Sequence, residues 1–301
     1  MQLYSHYQKS IAPPTSGAND WRNYSVNDAL LYSFRSTRYT TGSFPSNLHY
    51  HDYYELIIIE EGDIEYICES HVFSPQKGDI ILIPPRKFHM SCINAEETRY
   101  TRHVFYFYPY AFDAYDAASL FTFTQRTENG ALLTLSEMQK QKSATLLNDL
   151  HTALAAQGGA PERALSIGCM LQLFYLLNGA IGESHAAVQK LPEGILRLKN
   201  YIDEHYKSIR SVSEIAKQFF YSREHASRLF KRYFDITVSD YLLRRRILES
   251  QRLIADGVSI TYAALAVGFN SLSAFIRGFR AVSGVSPSEY RKTLRQSAAY
   301  Y

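Results

Sequence analysis

Two hydrophobic periodicities divide the chain. From Ala29 to about Phe112 the apolar residues come in short runs: Glu55–Glu60 (ELIIIE), Ile64–Cys68 (IEYIC), Asp79–Ile83 (DIILI) and Tyr100–Tyr108 (YTRHVFYFY). Gly62-Asp63, Lys77-Gly78-Asp79 and Pro84-Pro85 punctuate them. Short β-type runs bounded by turn residues predict the strands of a sandwich or small barrel. After Gly130 the spacing becomes helical. Leu135 to Ala156 sets Leu146, Leu147, Leu150 and Leu154 on one face, and Gly158-Gly159-Ala160-Pro161 breaks the pattern. A second helix, about Glu162 to Ala180, carries Leu165, Cys169, Leu173, Leu176 and Leu177. Such a hairpin must bury its stripe, either on its own barrel or in a dimer interface. The first 25 residues, with Pro13-Pro14-Thr15-Ser16-Gly17, read as an arm or loop.

The C-terminal third repeats itself. Residues 211–241 and 259–290 match, beginning with Ser211-Val212-Ser213-Glu214-Ile215-Ala216 against Ser259-Ile260-Thr261-Tyr262-Ala263-Ala264. After a one-residue shift, Ser222 matches Ser271 and Arg228 matches Arg277. Phe230-Lys231 matches Phe279-Arg280, and Tyr241 matches Tyr290. Each copy predicts a short helix, a tight turn and a second helix capped by Ser222 or by Ser271 (or Asn270 just before it). Gly268 supplies the permissive backbone of the second turn. This is the helix-turn-helix pattern, whose second helix enters a DNA major groove. Val238 to Ala255 joins the copies. As a helix it spans roughly 27 Å, against about 34 Å between successive major-groove faces.

Charge sharpens this reading. The net charge is only +3, but residues 191–301 carry about +8 and the first 190 about −5. A basic domain favours a polyanion, because each neutralised phosphate releases counterions. Cys68, Cys92 and Cys169 are an odd, unpaired set, which predicts a reduced, cytoplasmic setting. The N-terminus lacks the apolar stretch of a signal peptide. No window approaches eighteen apolar residues, so no membrane association is expected.

Residues from about 195 to 292 resemble the AraC/XylS family of bacterial transcription regulators. The motifs are Ser227-Arg228-Leu229-Phe230-Lys231, Arg246 with Leu253-Ile254, and Ala264 with Val267-Gly268-Phe269. Phe275-Ile276-Arg277-Gly278-Phe279-Arg280 and Gly284-Val285-Ser286-Pro287-Ser288-Glu289-Tyr290-Arg291 complete them. Asp235 departs from a usual Gly, Ser250 from a usual Ala, and Ala263 and Ala274 from larger residues, which predicts looser packing in the second copy. By helix position Arg223, Glu224, Ser227 and Arg228 face DNA in the first copy. Leu272, Ser273, Ile276 and Arg277 do so in the second. Arg pairs with guanine, Glu accepts from cytosine, and Leu272 or Ile276 meets a thymine methyl. Lys231, Arg232 and Arg280 are assigned to phosphates.

The N-terminal half carries G-x6-H-x-H-x3-E-x6-G at Gly42, His49, His51, Glu55 and Gly62. G-x5-P-x4-H-x4-N follows at Gly78, Pro84, His89 and Asn94. The two resemble the paired motifs of the cupin β-barrels, also the usual sensor fold of AraC-type regulators. Strand parity puts His49, His51 and Glu55 on one face, with His89 arriving from a later strand. These four are the candidate effector site. Three imidazoles and a carboxylate also suit Zn, Ni, Mn or Fe; no cofactor is expected, and a divalent metal at these residues is the alternative. Tyr32, Tyr39, Tyr50, Tyr53, Tyr54, Tyr66, Tyr106 and Tyr108 suit either a core or a bound sugar.

The expected fold is multidomain, an all-β cupin-like barrel with a helical hairpin, then an all-α tandem helix-turn-helix. The expected boundaries are 1–130 for the sensing barrel with its arm, 131–189 for the hairpin and linker, and 190–301 for the DNA-binding domain. The expected function is an effector-responsive, sequence-specific transcription regulator, not an enzyme, with a carbohydrate as candidate effector. Its expected partners are double-stranded promoter DNA, a small-molecule effector, a second copy of itself, and RNA polymerase if it activates. The rival readings are a metal-dependent cupin enzyme fused to DNA-binding units, and a ligand-independent DNA-binding protein.

Overall fold

The computed structural model describes residues 20–27, 29–40, 43–115, 118–126, 128–156, 159–180 and 189–298. Pro13–Gly17, Gly42 and Gly158 lie outside them. The chain divides into two compact units, 1–190 and 191–301.

The first unit is two antiparallel sheets followed by two helices. Its strands are β1 (Asp20–Asn27), β2 (Leu30–Thr40), β3 (Ser46–His49), β4 (Tyr54–Glu61), β5 (Ile64–Cys68) and β6 (His71–Phe73). Then come β7 (Ile80–Ile83), β8 (His89–Ile93), β9 (Glu97–Phe107) and β10 (Ala131–Leu133). After the helices α1 (Glu137–Ala155) and α2 (Ala160–Ala180) comes a short β11 (Gln189–Lys190). One sheet runs β1-β2-β9-β4-β7-β10 and the other β11-β6-β5-β8-β3.

Between the sheets lie Leu31, Ile57, Ile59, Tyr66, Phe73, Ile81, Ile93, Val104 and Tyr106. The opposite face of the six-stranded sheet presents Tyr32, Leu56, Ile58, Ile80, Leu82, Phe105 and Phe107. Both faces are covered, so Leu56-Ile57-Ile58-Ile59 is buried without alternation. What covers the second face is the helical hairpin. Leu146, Leu147, Leu150, Cys169, Leu173 and Leu177 join the same core as that sheet, with Leu154 and Leu176 at its margin. Of the two destinations open to the hairpin's stripe, its own barrel is the one taken. Leu165, placed on that stripe by its spacing, is instead 51% exposed. Ser136 starts α1 with a capping box to Gln139.

The second unit is all helix: α3 (Glu193–His205), α4 (Val212–Gln218), α5 (Arg223–Phe234), α6 (Val238–Ala255), α7 (Ile260–Ala266), α8 (Leu272–Ser283) and α9 (Pro287–Ala298). The pairs α4–α5 and α7–α8 are the two repeats, joined by α6. Both first helices end alike. Phe220 N–H donates to Lys217 O and Tyr221 N–H to Ala216 O, as Gly268 N–H does to Leu265 O and Phe269 N–H to Ala264 O. This closing turn needs a left-handed residue. Gly268 supplies it at φ +90°, while the first copy strains Phe220 into φ +56°. Ala263, where looser packing is expected, is fully buried in a core that also packs Phe269 on Phe275, Phe275 on Phe279, and Phe279 on Tyr290, at 5.3, 5.6 and 5.6 Å between rings, while Ala274 is half-buried. The substituted Ser250 is fully buried and donates to Ile247 O, so its hydroxyl is satisfied.

Cys68, Cys92 and Cys169 are free thiols. Among the described residues no helix is long and apolar enough to cross a membrane.

Candidate functional site

Helices α5 and α8 are built the same way. Ser222 accepts from His225 N–H and Ser271 from Ala274 N–H, so each cap fixes the helix start the repeat predicts. One face of α5 buries Ala226, Phe230 and Phe234, and one face of α8 buries Phe275 and Phe279. The opposite faces are left to solvent. Arg223, Glu224, Arg228, Lys231 and Arg232 are exposed on α5, with Ser227 half-buried. Leu272, Ser273, Ile276, Arg277 and Arg280 are exposed on α8. Exposed Leu272 and Ile276, 41% and 39%, stand beside cations on a helix whose other face already fills the core.

Three cations have duties that sequence alone does not reveal. Asp235 ends α5 in the left-handed conformation at φ +52°, where Gly is the easier residue. Lys231 offsets this, with Nζ 2.8 Å from Asp235 O and 2.6 Å from its Oδ1. The Arg244-Arg245-Arg246 run turns partly inward. Arg246 donates Nε to Tyr206 O at 2.8 Å and Nη2 to Ile209 O at 2.6 Å, and Arg245 meets Asp203 at 3.4 Å. Both tie the end of α3 to α6. They position the helices and take no part in the exposed faces of α5 and α8.

The second site lies at one end of the space between the sheets. His49 closes β3 and pairs directly with His89 at the start of β8. Glu55 comes from β4 in the other sheet. Parity along one strand is not what aligns them: β3 ends at His49, and His51 sits in the crossing from one sheet to the other. The ligand atoms of His49, His51, Glu55 and His89 all lie within 4.8 Å of one another.

Each ring has its outer nitrogen occupied. Nδ1 lies 2.7 Å from Asn47 O in His49, 2.8 Å from Tyr53 O in His51 and 2.9 Å from Lys87 O in His89. A carbonyl only accepts, so Nδ1 carries the proton in all three rings. A neutral ring then offers Nε2 as a bare lone pair. Burial holds the His49 imidazole well below its usual range and lowers that of His51, so both favour the neutral form. Burial alone raises the Glu55 carboxyl, but the pull of His51 and His89 outweighs it and holds Glu55 an anion; a hydrogen bond to it from either Nε2 requires that ring to carry a second proton. His51 Nε2 and His89 Nε2 each stand 3.1 Å from Glu55 Oε2. Converging lone pairs around a buried carboxylate need a proton, a polar ligand or a cation between them. Outer-nitrogen bonds to carbonyls also orient metal-binding histidines, so this donor set fits a divalent transition metal.

Sequence reasoning missed two cations in the same interior. Arg35 and Arg102 sit directly opposite each other on β2 and β9, each 4% exposed. Arg35 Nη2 donates to Tyr106 Oη at 2.6 Å. The Tyr106 ring stands 6.4 Å from that of His51. Period-2 spacing marks which positions face inward, but not which inward position bears charge.

Residues 33–177 match the family described as AraC-like ligand binding domain, and residues 215–293 match a helix-turn-helix domain. The probable transcriptional regulator LumQ of Photobacterium leiognathi is 33% identical over 99 residues, 33% of this chain and 40% of LumQ. The melibiose operon regulatory protein of Escherichia coli K12 is 22% identical over 262 residues, covering 82% of this chain and 84% of that protein. The HTH-type transcriptional activator RhaS of Pectobacterium atrosepticum is 24% identical over 252 residues, 83% and 88% of the two chains.

Proposed function

The chain belongs to the AraC family of transcription regulators, and from that premise we infer that residues 190–301 bind promoter DNA while the barrel of residues 1–130 reads a small molecule. The observation that carries the DNA-binding half is the duplicated unit. Two capped helices each bury one face and expose another that carries basic and polar side chains, with Leu272 and Ile276 among them on α8. In each, the residues assigned to base edges occupy the exposed face. The reading predicts that full-length protein binds duplex DNA with an affinity falling steeply between about 50 and 200 mM salt. Salt-insensitive or undetectable binding overturns it.

His49, His51, Glu55 and His89 are the effector site in this account. The relatedness to a melibiose operon regulator supports a carbohydrate as effector. Where a divalent metal is bound, these four side chains hold it, and it supplies a Lewis acid that grips an effector oxygen. An effector shifts the regulator only through differential affinity for two of its states. The hairpin of residues 131–189 keeps Leu165 and Tyr175 exposed, 51% and 68%, on the helix that packs beneath the sheet; this supports a dimer formed there. Action on promoter DNA implies a cytoplasmic protein without turnover of its own, and an activator also meets RNA polymerase. The donor set favours one second reading, a metal-dependent enzyme. Stoichiometric metal together with turnover of a bound organic substrate would establish that alternative.

A further inference from the structure

The space between the sheets holds more positive charge than the account so far uses. Arg102 is 4% exposed, and its guanidinium lies over the Tyr100 ring at 3.9 Å. Strand parity turns it inward with Tyr100, Val104 and Tyr106, which line that interior. Among the described residues it makes no ion pair, and its Nη1 is buried with no hydrogen-bond partner. Arg35 stands directly across from it. Like charges opposite one another in a sheet are unfavourable, and an arginine cannot relieve this by losing its proton. The buried carboxylate of this interior is Glu55, whose Oε2 is already engaged by His51 and His89.

This positive centre is continuous with the histidine cluster. Arg35 bonds Tyr106, and Tyr106 faces His51. Tyr66 and Tyr100, the phenols beside Arg102, are raised chiefly by burial; Arg102 acts on both to lower them and Glu55, more weakly, to raise them. Tyr66 and Tyr100 hydrogen-bond each other through their hydroxyls. The interior thus offers a planar cation with a free donor at one end and imidazole Nε2 lone pairs, which accept hydrogen bonds, at the other.

We propose that the effector is a small organic acid: its carboxylate pairs with Arg102, and its hydroxyl groups donate toward the Nε2 atoms of His49, His51 and His89. This rests on the reading of the barrel interior as the effector site and narrows the ligand from a carbohydrate in general to an acid such as a sugar acid. Planar two-donor pairing with a carboxylate is what a guanidinium does best. A neutral sugar leaves the Arg102 charge unanswered.

The test uses the full chain, chelator-treated, with glycolate as the smallest hydroxy acid. Ethylene glycol and chloride at equal ionic strength are the controls. The single tryptophan, Trp21, lies in the first unit, so its fluorescence follows unfolding there. A ligand specific to the folded state raises the melting temperature. Glycolate is expected to raise it while both controls do not. Arg102→Met is expected to melt at or above the wild-type temperature without ligand, since it removes a buried unpaired charge. It should bind glycolate at least about tenfold more weakly, the loss of one charged hydrogen bond. Arg102→Gln, which keeps polarity without charge, must show the same loss. The inference falls if Arg102→Met and Arg102→Gln both melt lower, because the guanidinium is then structural. It also falls if glycolate stabilises neither protein or both equally. If a neutral sugar stabilises wild type but not His51→Ala while glycolate does nothing, the effector site stands and only the acid is wrong.

Discussion

Equivalent positions in the two repeats predict opposite responses to mutation. Gly268 and Phe220 occupy the same turn, both with positive φ. A Cβ on Gly268 would stand 2.2 Å from the carbonyl oxygen of Lys207, deep inside contact distance. Gly268→Ala therefore incurs left-handed strain of about 1–2 kcal/mol and overpacking of about 1–3 kcal/mol. Reduced unfolded-state freedom returns about 0.4–1 kcal/mol. The net is a destabilisation of roughly 2–4 kcal/mol, which for a unit of this size lowers melting by about 10 °C or more. Phe220 is 99% exposed, so Phe220→Gly loses no burial. It relieves about 1–2 kcal/mol of strain against about 0.5–1 kcal/mol of added chain entropy. It is expected to leave the melting temperature unchanged or raise it by a few degrees. Circular dichroism at the helical band follows both units, whereas Trp21 fluorescence follows only the first. Gly268→Ala should lower the helical transition and spare the fluorescence transition. If it melts within about 2 °C of wild type, or if both variants shift alike, the close approach at Lys207 is not what demands glycine.

Arg228→Ala should cost roughly 1–3 kcal/mol of binding and relax sequence preference at one position, whereas Lys231→Ala weakens binding to all sequences alike; competition assays with single-base variants separate the two. Because Lys231 also holds the end of α5, Lys231→Ala should in addition lower the melting temperature, which Arg228→Ala should not. Arg246→Ala removes two charged hydrogen bonds to backbone carbonyls and should destabilise the second unit by about 2–4 kcal/mol, read by urea unfolding; Arg246→Lys should restore little, since an ammonium lacks the fork that reaches both oxygens. His51→Ala should abolish the effector response in a reporter assay while operator affinity in the absence of effector stays within about twofold.

The repeat was legible because it is written in local chemistry. Ser222 and Ser271 announce helix starts, and Thr237 with Asp240 starts α6 by a capping box at the connector's expected first residue. The strand runs were legible as runs, but burial on both faces erased the alternation that would have told inward from outward positions. The hairpin's stripe was legible, while its destination depended on a sheet formed much earlier in the chain. The duties of Arg245 and Arg246 depend on a carboxylate and on backbone carbonyls some forty residues away, which no spacing rule reaches. The four residues of the candidate effector site were found through a spacing resemblance. Arg35 and Arg102 carry no motif and emerge only when β2 and β9 are paired.

Selection of bound sequences from a randomised duplex pool by the full-length protein tests the DNA-binding claim most directly. Two recognition helices on one rigid connector predict enrichment of two short conserved blocks centred about 10–10.5 base pairs apart. Arg228→Ala should erase information in one block and Arg277→Ala in the other. A selected pool no more ordered than the starting pool, at salt where binding is still measurable, would mean that the protein holds DNA by charge alone and would contradict the account.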